Sequence, residues 1–176
     1  MTPIDMGLAL LRVGAGLTMA AHGYGKLFRG GRIPGTARWF DSIGMRPGRL
    51  QAWLAACTEI GAGILFALGL LTPFAAAAFV SLMAVATWTV HRDHGFFIAS
   101  NGWEYNANLA ICAVSVAIAG AGRISLDWAI FGKNILIGWS GFGLSAGLGL
   151  VAATALLGVC YRPVRIRAAS NEGSAL

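Results

Sequence analysis

Long apolar runs, rather than alternating apolar and polar positions, dominate this chain. Five of them approach the roughly 20 apolar residues that cross a bilayer: residues 5–28, 50–72, 74–91, 105–122 and 135–159. Lipid offers no partner to backbone amides and carbonyls, so each run is expected to be a helix. Residues 29–50, "RGGRIPGTARWFDSIGMRPGRL", are too polar to span and carry Gly-Gly and Pro-Gly breakers. Their centre, "TARWFDSI", suits a short interfacial helix presenting Trp39 and Phe40. The pattern predicts an all-α integral membrane protein, with a transmembrane domain over residues 1–159 and a polar, basic tail over 160–176, where Pro163 helps to end the last helix.

Composition agrees with the pattern. The chain is 57% hydrophobic and only 11% charged, against about 25% charged in ordinary globular domains. Asp5 rather than a basic cluster precedes the first run, so that run is expected to stay in the membrane. The net charge of +6 comes largely from Lys26, Arg29, Arg32, Arg38, Arg46 and Arg49 around the first loop and Arg162, Arg165 and Arg167 in the tail. Basic residues beside apolar helices suit lipid headgroups better than nucleic acid. Five spans put loop and tail on one side, and the positive-inside rule makes that side cytoplasmic. Cys57, Cys112 and Cys160 show no CxxC or zinc-like spacing and read as small packing residues. Gly141, Ser145 and Gly149, with Gly143 and Gly147, allow close helix approach in the last run. Internal packing is their expected use and a homodimer face their second.

The polar residues of the first run fall on one face. At about 100 degrees per residue, Asp5, Arg12, His22 and Lys26 lie within an arc of about 100 degrees that must look inward. Charges at bilayer depth seek a partner or a watery cavity. Glu59 supplies a partner, being the only carboxylate between Asp41 and Asp93. Counted at about 1.5 Å per residue from the shared loop, Glu59 lies about 13 Å deep, His22 about 9 Å and Arg12 about 24 Å. An Arg12, Glu59 and His22 network is expected, with the order of contacts open. It serves equally well to pin two helices or to do chemistry.

The connection "HRDHGFFIASNGWEYNAN" should lie on the same membrane face as the first loop. It brings His91, Arg92, Asp93, His94, Glu104, Asn106 and Asn108 toward His22 and Lys26. A pocket is expected on this face, with His22 and Glu59 as its proton-transfer residues and Arg12, Lys26, His91, His94, Glu104 and Asn108 as ligand-binding residues. The aromatic residues Trp39, Phe40, Phe96, Phe97, Trp103 and Tyr105 suit an interfacial belt or the wall of a site for a flat apolar molecule such as a quinone. No HExxH or helical histidine pair supports a metal, so no metal ligands are assigned, and haem or metal fits less well than quinone.

The runs "LRVGAGLTMAAHGYGKLF", "GTARWFDSIG", "EIGAGILFALGLLTP" and "WEYNANLAI" together resemble the DoxX family of small bacterial membrane proteins, over about residues 5–122. The matching positions are Arg12, His22, Gly23, Lys26, Glu59 and Glu104. The resemblance implies a four-helix transmembrane bundle, to which the run from 135 onward adds a fifth helix, in a multi-pass protein of the bacterial inner membrane. It also implies relatives in thiosulfate:quinone oxidoreductase and in assemblies with superoxide dismutase and a sulfurtransferase. The leading expectation is a membrane subunit of a redox or sulfur-handling complex, in contact with soluble redox enzymes. A non-catalytic scaffold for such enzymes and a small transporter are the alternatives.

Overall fold

A capping box starts the first helix. The Asp5 amide donates to Thr2 Oγ1 at 3.3 Å while Asp5 Oδ2 accepts from the Thr2 amide at 2.7 Å, and Pro3 occupies the first turn. Helix α1 therefore runs Pro3–Phe28, two residues ahead of its apolar run. The computed structural model describes residues 1–163, so Arg165, Arg167 and most of the expected tail lie outside the described residues.

Helix α2, Arg32–Ser42, starts four residues before "TARWFDSI" and takes Pro34 into its first turn. Helix α3, Gly48–Leu68, stops at Gly69, whose left-handed φ of 65° reverses the chain. Helix α4, Thr72–His94, is α-helical through Ala86, π-wound over Thr87–His91 and tightens to 3-10 over Arg92–His94. Helix α5, Glu104–Ala119, ends three residues before its apolar run because Gly120, with φ 94°, turns out of the helix. A short helix α6, Leu126–Phe131, capped by Ser125, follows. Helix α7, Trp139–Cys160, starts four residues late because Gly132 closes α6 and Gly138 opens α7. It is π-wound over Gly143–Leu148.

The long helices α1, α3, α4 and α7 are long and apolar enough to cross a membrane, while α5 has 16 residues. They run alternately up and down. One end, here the loop face, gathers α2, the α4–α5 connection and the end of α7. The Arg46 amide donates to Cys160 O at 2.9 Å and the Arg162 amide to Gly44 O at 2.7 Å, which ties the last helix to the first loop. The opposite face holds the N-terminus, the α3–α4 turn and residues 120–138.

Small residues set the helix spacing. A Cβ on Gly16 would stand 2.5 Å from Gly63 O, and one on Gly63 would stand 2.6 Å from Gly16 O, so α1 and α3 touch backbone to backbone. Helix α7 approaches α4 through Gly149, beside Ala77 O and Val80, and approaches α5 through Gly141, beside Ala117 O. Among the described residues Gly143 and Gly147 meet nothing within 4 Å. Between these contacts Met19, Phe66, Phe79, Leu109 and Val116 form the apolar centre.

Candidate ligand-binding site

Side chains on a helix lean toward its N-terminus, and that lean decides the pairing of the buried charges. Lys26, in the last turns of α1, leans down into the bundle, and Glu59, midway along antiparallel α3, leans up toward the loop face. They meet: Lys26 Nζ lies 2.7 Å from Glu59 Oε1 and 2.6 Å from Oε2. Gly23 permits this, because a Cβ there would crowd Glu59 Cβ at 3.0 Å and Ala56 O at 2.7 Å.

Arg12, on the same helix as Lys26 but nearer its start, leans toward the α1 N-terminus and so away from Glu59. The expected Arg12, Glu59 and His22 network is therefore not formed. Arg12 is 1% exposed at the opposite face, where Nη1 donates to Ala67 O at 3.0 Å and Nη2 donates to Ile124 O. Among the described residues no carboxylate is within salt-bridge distance of it, and its Nε has no partner. The guanidinium lies so close over Gly69 that any side chain there would collide with Nη1. Asp127 completes this end: its carboxylate accepts from the Leu71 and Thr72 amides at 2.8 and 3.0 Å and from Thr72 Oγ1 at 2.8 Å, capping α4. Asp5 Oδ1 adds a bond from the Arg123 amide at 2.9 Å. Arg12, Asp5 and Asp127 thus fasten the turns of the opposite face.

The expected gathering of His22, Lys26, His91, His94 and Glu104 in one pocket does not occur either. His22 Nε2 lies 3.1 Å from the Tyr105 hydroxyl, on the exposed flank of α1. His91 Nδ1 is 2.7 Å from Asn101 O and His94 Nδ1 is 3.1 Å from Val90 O. Glu104 Oε2 accepts from the Ile98 amide at 2.9 Å. The three residues hold the α4–α5 connection in shape, because a turn so rich in bends leaves backbone groups that only side chains can reach. Asn108 is exposed, whereas Asn106 is buried with its amide 3.2 Å from Thr87 Oγ1.

Of the expected site residues, Lys26 and Glu59 line a cavity. It opens between α2, α3, α4 and α7 and encloses about 120 Å³. Trp39, Phe40, Leu54, Leu82, Val85 and Leu156 form apolar walls, and the π-wound turn of α4 contributes Thr89 and Val90. Wide turns of this kind are frequent where a helix shapes a site. Gln51 lines the same cavity, 3% exposed, and among the described residues its Nε2 has no hydrogen-bond partner. The sequence reading passed over Gln51, although it is the only glutamine in the chain. Its signal was periodic: Gln51, Ala55 and Glu59 stand four residues apart on one stripe of α3.

The family comparison falls on the same part of the chain. Residues 7–92 match the DoxX family model. The matched segment carries the DoxX pattern. Every cavity-lining residue except Leu156 lies within the matched segment, so the cavity is built from the part of the chain that matches DoxX proteins. An uncharacterized protein of Haemophilus influenzae is 29% identical over 97 residues, covering 51% of this chain and 64% of that relative's length. No solved structure matches. With its long apolar helices and its DoxX-like segment, the chain is a multi-pass membrane protein.

Proposed function

We propose that this protein is the integral membrane subunit of a redox complex in the bacterial inner membrane, and that its cavity seats the headgroup of a quinone. The observation that carries the reading is the orphan amide of Gln51 at the cavity wall. A buried donor without an acceptor costs about 1–3 kcal/mol until something supplies one, and a quinone carbonyl is such an acceptor. The flat apolar ring suits walls made of Trp39, Phe40, Leu82 and Val85. A volume of about 120 Å³ falls below the roughly 300–1,000 Å³ of a whole-ligand site, so the headgroup enters and the tail leaves along the helices.

Charge separates quinone from a sulfur anion as the occupant. Lys26 and Glu59 compensate each other at 2.6 Å, so a free anion would lose its hydration without meeting an uncompensated cation. In this reading a sulfur anion is the business of the partner enzyme. Reducing a quinone to a quinol takes two electrons and two protons. The electrons come from the partner, and Glu59, with Lys26 beside it, is the group on the cavity wall able to exchange a proton.

Isothermal titration of the purified protein with a short-chain quinone tests the reading. The parent should bind it, and Gln51→Leu should bind about tenfold more weakly for the loss of one buried hydrogen bond, with its thermal unfolding midpoint unchanged or raised. Equal binding by parent and Gln51→Leu would remove the headgroup from this cavity. Absence of binding together with a stoichiometric soluble partner would favour the scaffold instead.

A further inference from the structure

A second depression lies on the outer flank of the loop face, between α2 and the start of α3. Ile33, Pro34 and Ala37 of α2 and Trp53 of α3 form it, and Arg49 stands at its rim. Arg49 and Trp53 are four residues apart on α3, so they stack along one stripe, with the arginine toward the loop face and the indole toward the membrane interior. Both are exposed, Trp53 by 47%.

The surrounding charge is one-sided. Arg29, Arg32, Arg38 and Arg46 are all exposed on this loop. Among the described residues none of them, nor Arg49, forms an ion pair. The loop's one carboxylate, Asp41, is engaged in capping α3, with its Oδ1 2.8 Å from the Gly48 amide. No described side chain neutralises the arginines, so the groove's rim is free to attract an anion from outside. An apolar groove directly beneath a cation fits a molecule with an anionic head and a hydrocarbon body, oriented as the bilayer orients it. Tryptophan at this depth belongs to the headgroup level.

We infer that the α2–α3 groove is a binding site for an anionic phospholipid, whose phosphate meets Arg49 and whose acyl chain lies along Ile33, Pro34, Ala37 and Trp53. The site is separate from the cavity and stands whether or not that cavity takes a quinone. A soluble acidic protein would match the arginines but would leave the groove and Trp53 without an occupant.

Lipid titration of the delipidated, detergent-purified protein, followed by native mass spectrometry, tests the inference. Phosphatidylglycerol should bind at least fivefold more tightly than phosphatidylcholine, in line with about one basic contact. Arg49→Gln should erase most of that preference, and Trp53→Ala should weaken both lipids. Arg92→Gln, removing an exposed arginine from the other connection of the same face, should leave the preference intact. Each variant's unfolding midpoint without lipid should match the parent. Equal binding of the two lipids, an equal loss from Arg92→Gln, or competition by millimolar inorganic phosphate as effective as that by phosphatidylglycerol would each overturn the lipid site.

Discussion

Three charged side chains inside the bundle, Arg12, Lys26 and Glu59, owe their partners to the direction in which a helical side chain leans. Glu59 was legible in the sequence as a buried carboxylate in need of a cation, but counting depth along the backbone favoured His22, kept Arg12 as the second partner and passed over Lys26. A count of backbone depth ignores the length of the lysine stem and the tilt of Cβ toward the helix N-terminus, which together bring Nζ down to the carboxylate. The consequence is measurable. Glu59→Gln should cost about 3 kcal/mol in detergent unfolding, because it strands Lys26 in the bundle. Lys26→Met should cost a similar amount, and the double variant should recover part of it. Arg12→Met combined with Glu59→Gln should instead be additive to within about 0.5 kcal/mol, since the two residues hold opposite ends. Strong coupling of Arg12 to Glu59 in such cycles would reverse the assignment.

At the scale of elements, apolar runs located the helices well, and local chemistry moved their ends. Thr2 and Asp5 brought α1 forward, Gly120 cut α5 short, and Gly132 with Gly138 delayed α7. Helix α6 escaped notice because six residues carry too little periodicity to read. The small residues of α7 were legible as a packing face, and Gly141 and Gly149 pack within the bundle. What periodicity does not distinguish is a glycine with backbone against it from one facing open space. Gly16→Leu or Gly63→Leu should force α1 and α3 apart and abolish the folded protein, whereas Gly143→Ala and Gly147→Ala should change the unfolding midpoint little. Circular dichroism melts of the four variants would rank them, and a Gly147→Ala protein as damaged as Gly16→Leu would show that α7 has a neighbour along its open side.

For the whole molecule, the expectation that one face would be chemically rich was legible, but the reason for the richness was not. The histidines and Glu104 serve a loop, while the cavity lies lower, where Gln51 meets the Lys26–Glu59 pair. Long-range closure is what sequence pattern lacks: no periodicity announces that Arg46 and Gly44 bond to the end of α7. That closure puts Ser42 and Arg162 at one face, and the alternating run of the helices adds Ser100 to that face and Lys133 to the other. The loop face also carries Arg29, Arg32, Arg38, Arg46, Arg49, Arg92 and Arg162, against Arg123 and Lys133 opposite, so the positive-inside rule predicts a cytoplasmic loop face. Single cysteines replacing Ser42, Ser100 and Lys133, in a background with Cys57, Cys112 and Cys160 changed to alanine, should separate cleanly under a membrane-impermeant thiol reagent. In intact cells Lys133→Cys should react, and Ser42→Cys and Ser100→Cys should react only after lysis. Reaction of Ser42→Cys alone in intact cells would break the shared face and with it the five-crossing bundle. Reaction of both serine replacements, with Lys133→Cys protected, would keep the bundle and invert it in the membrane.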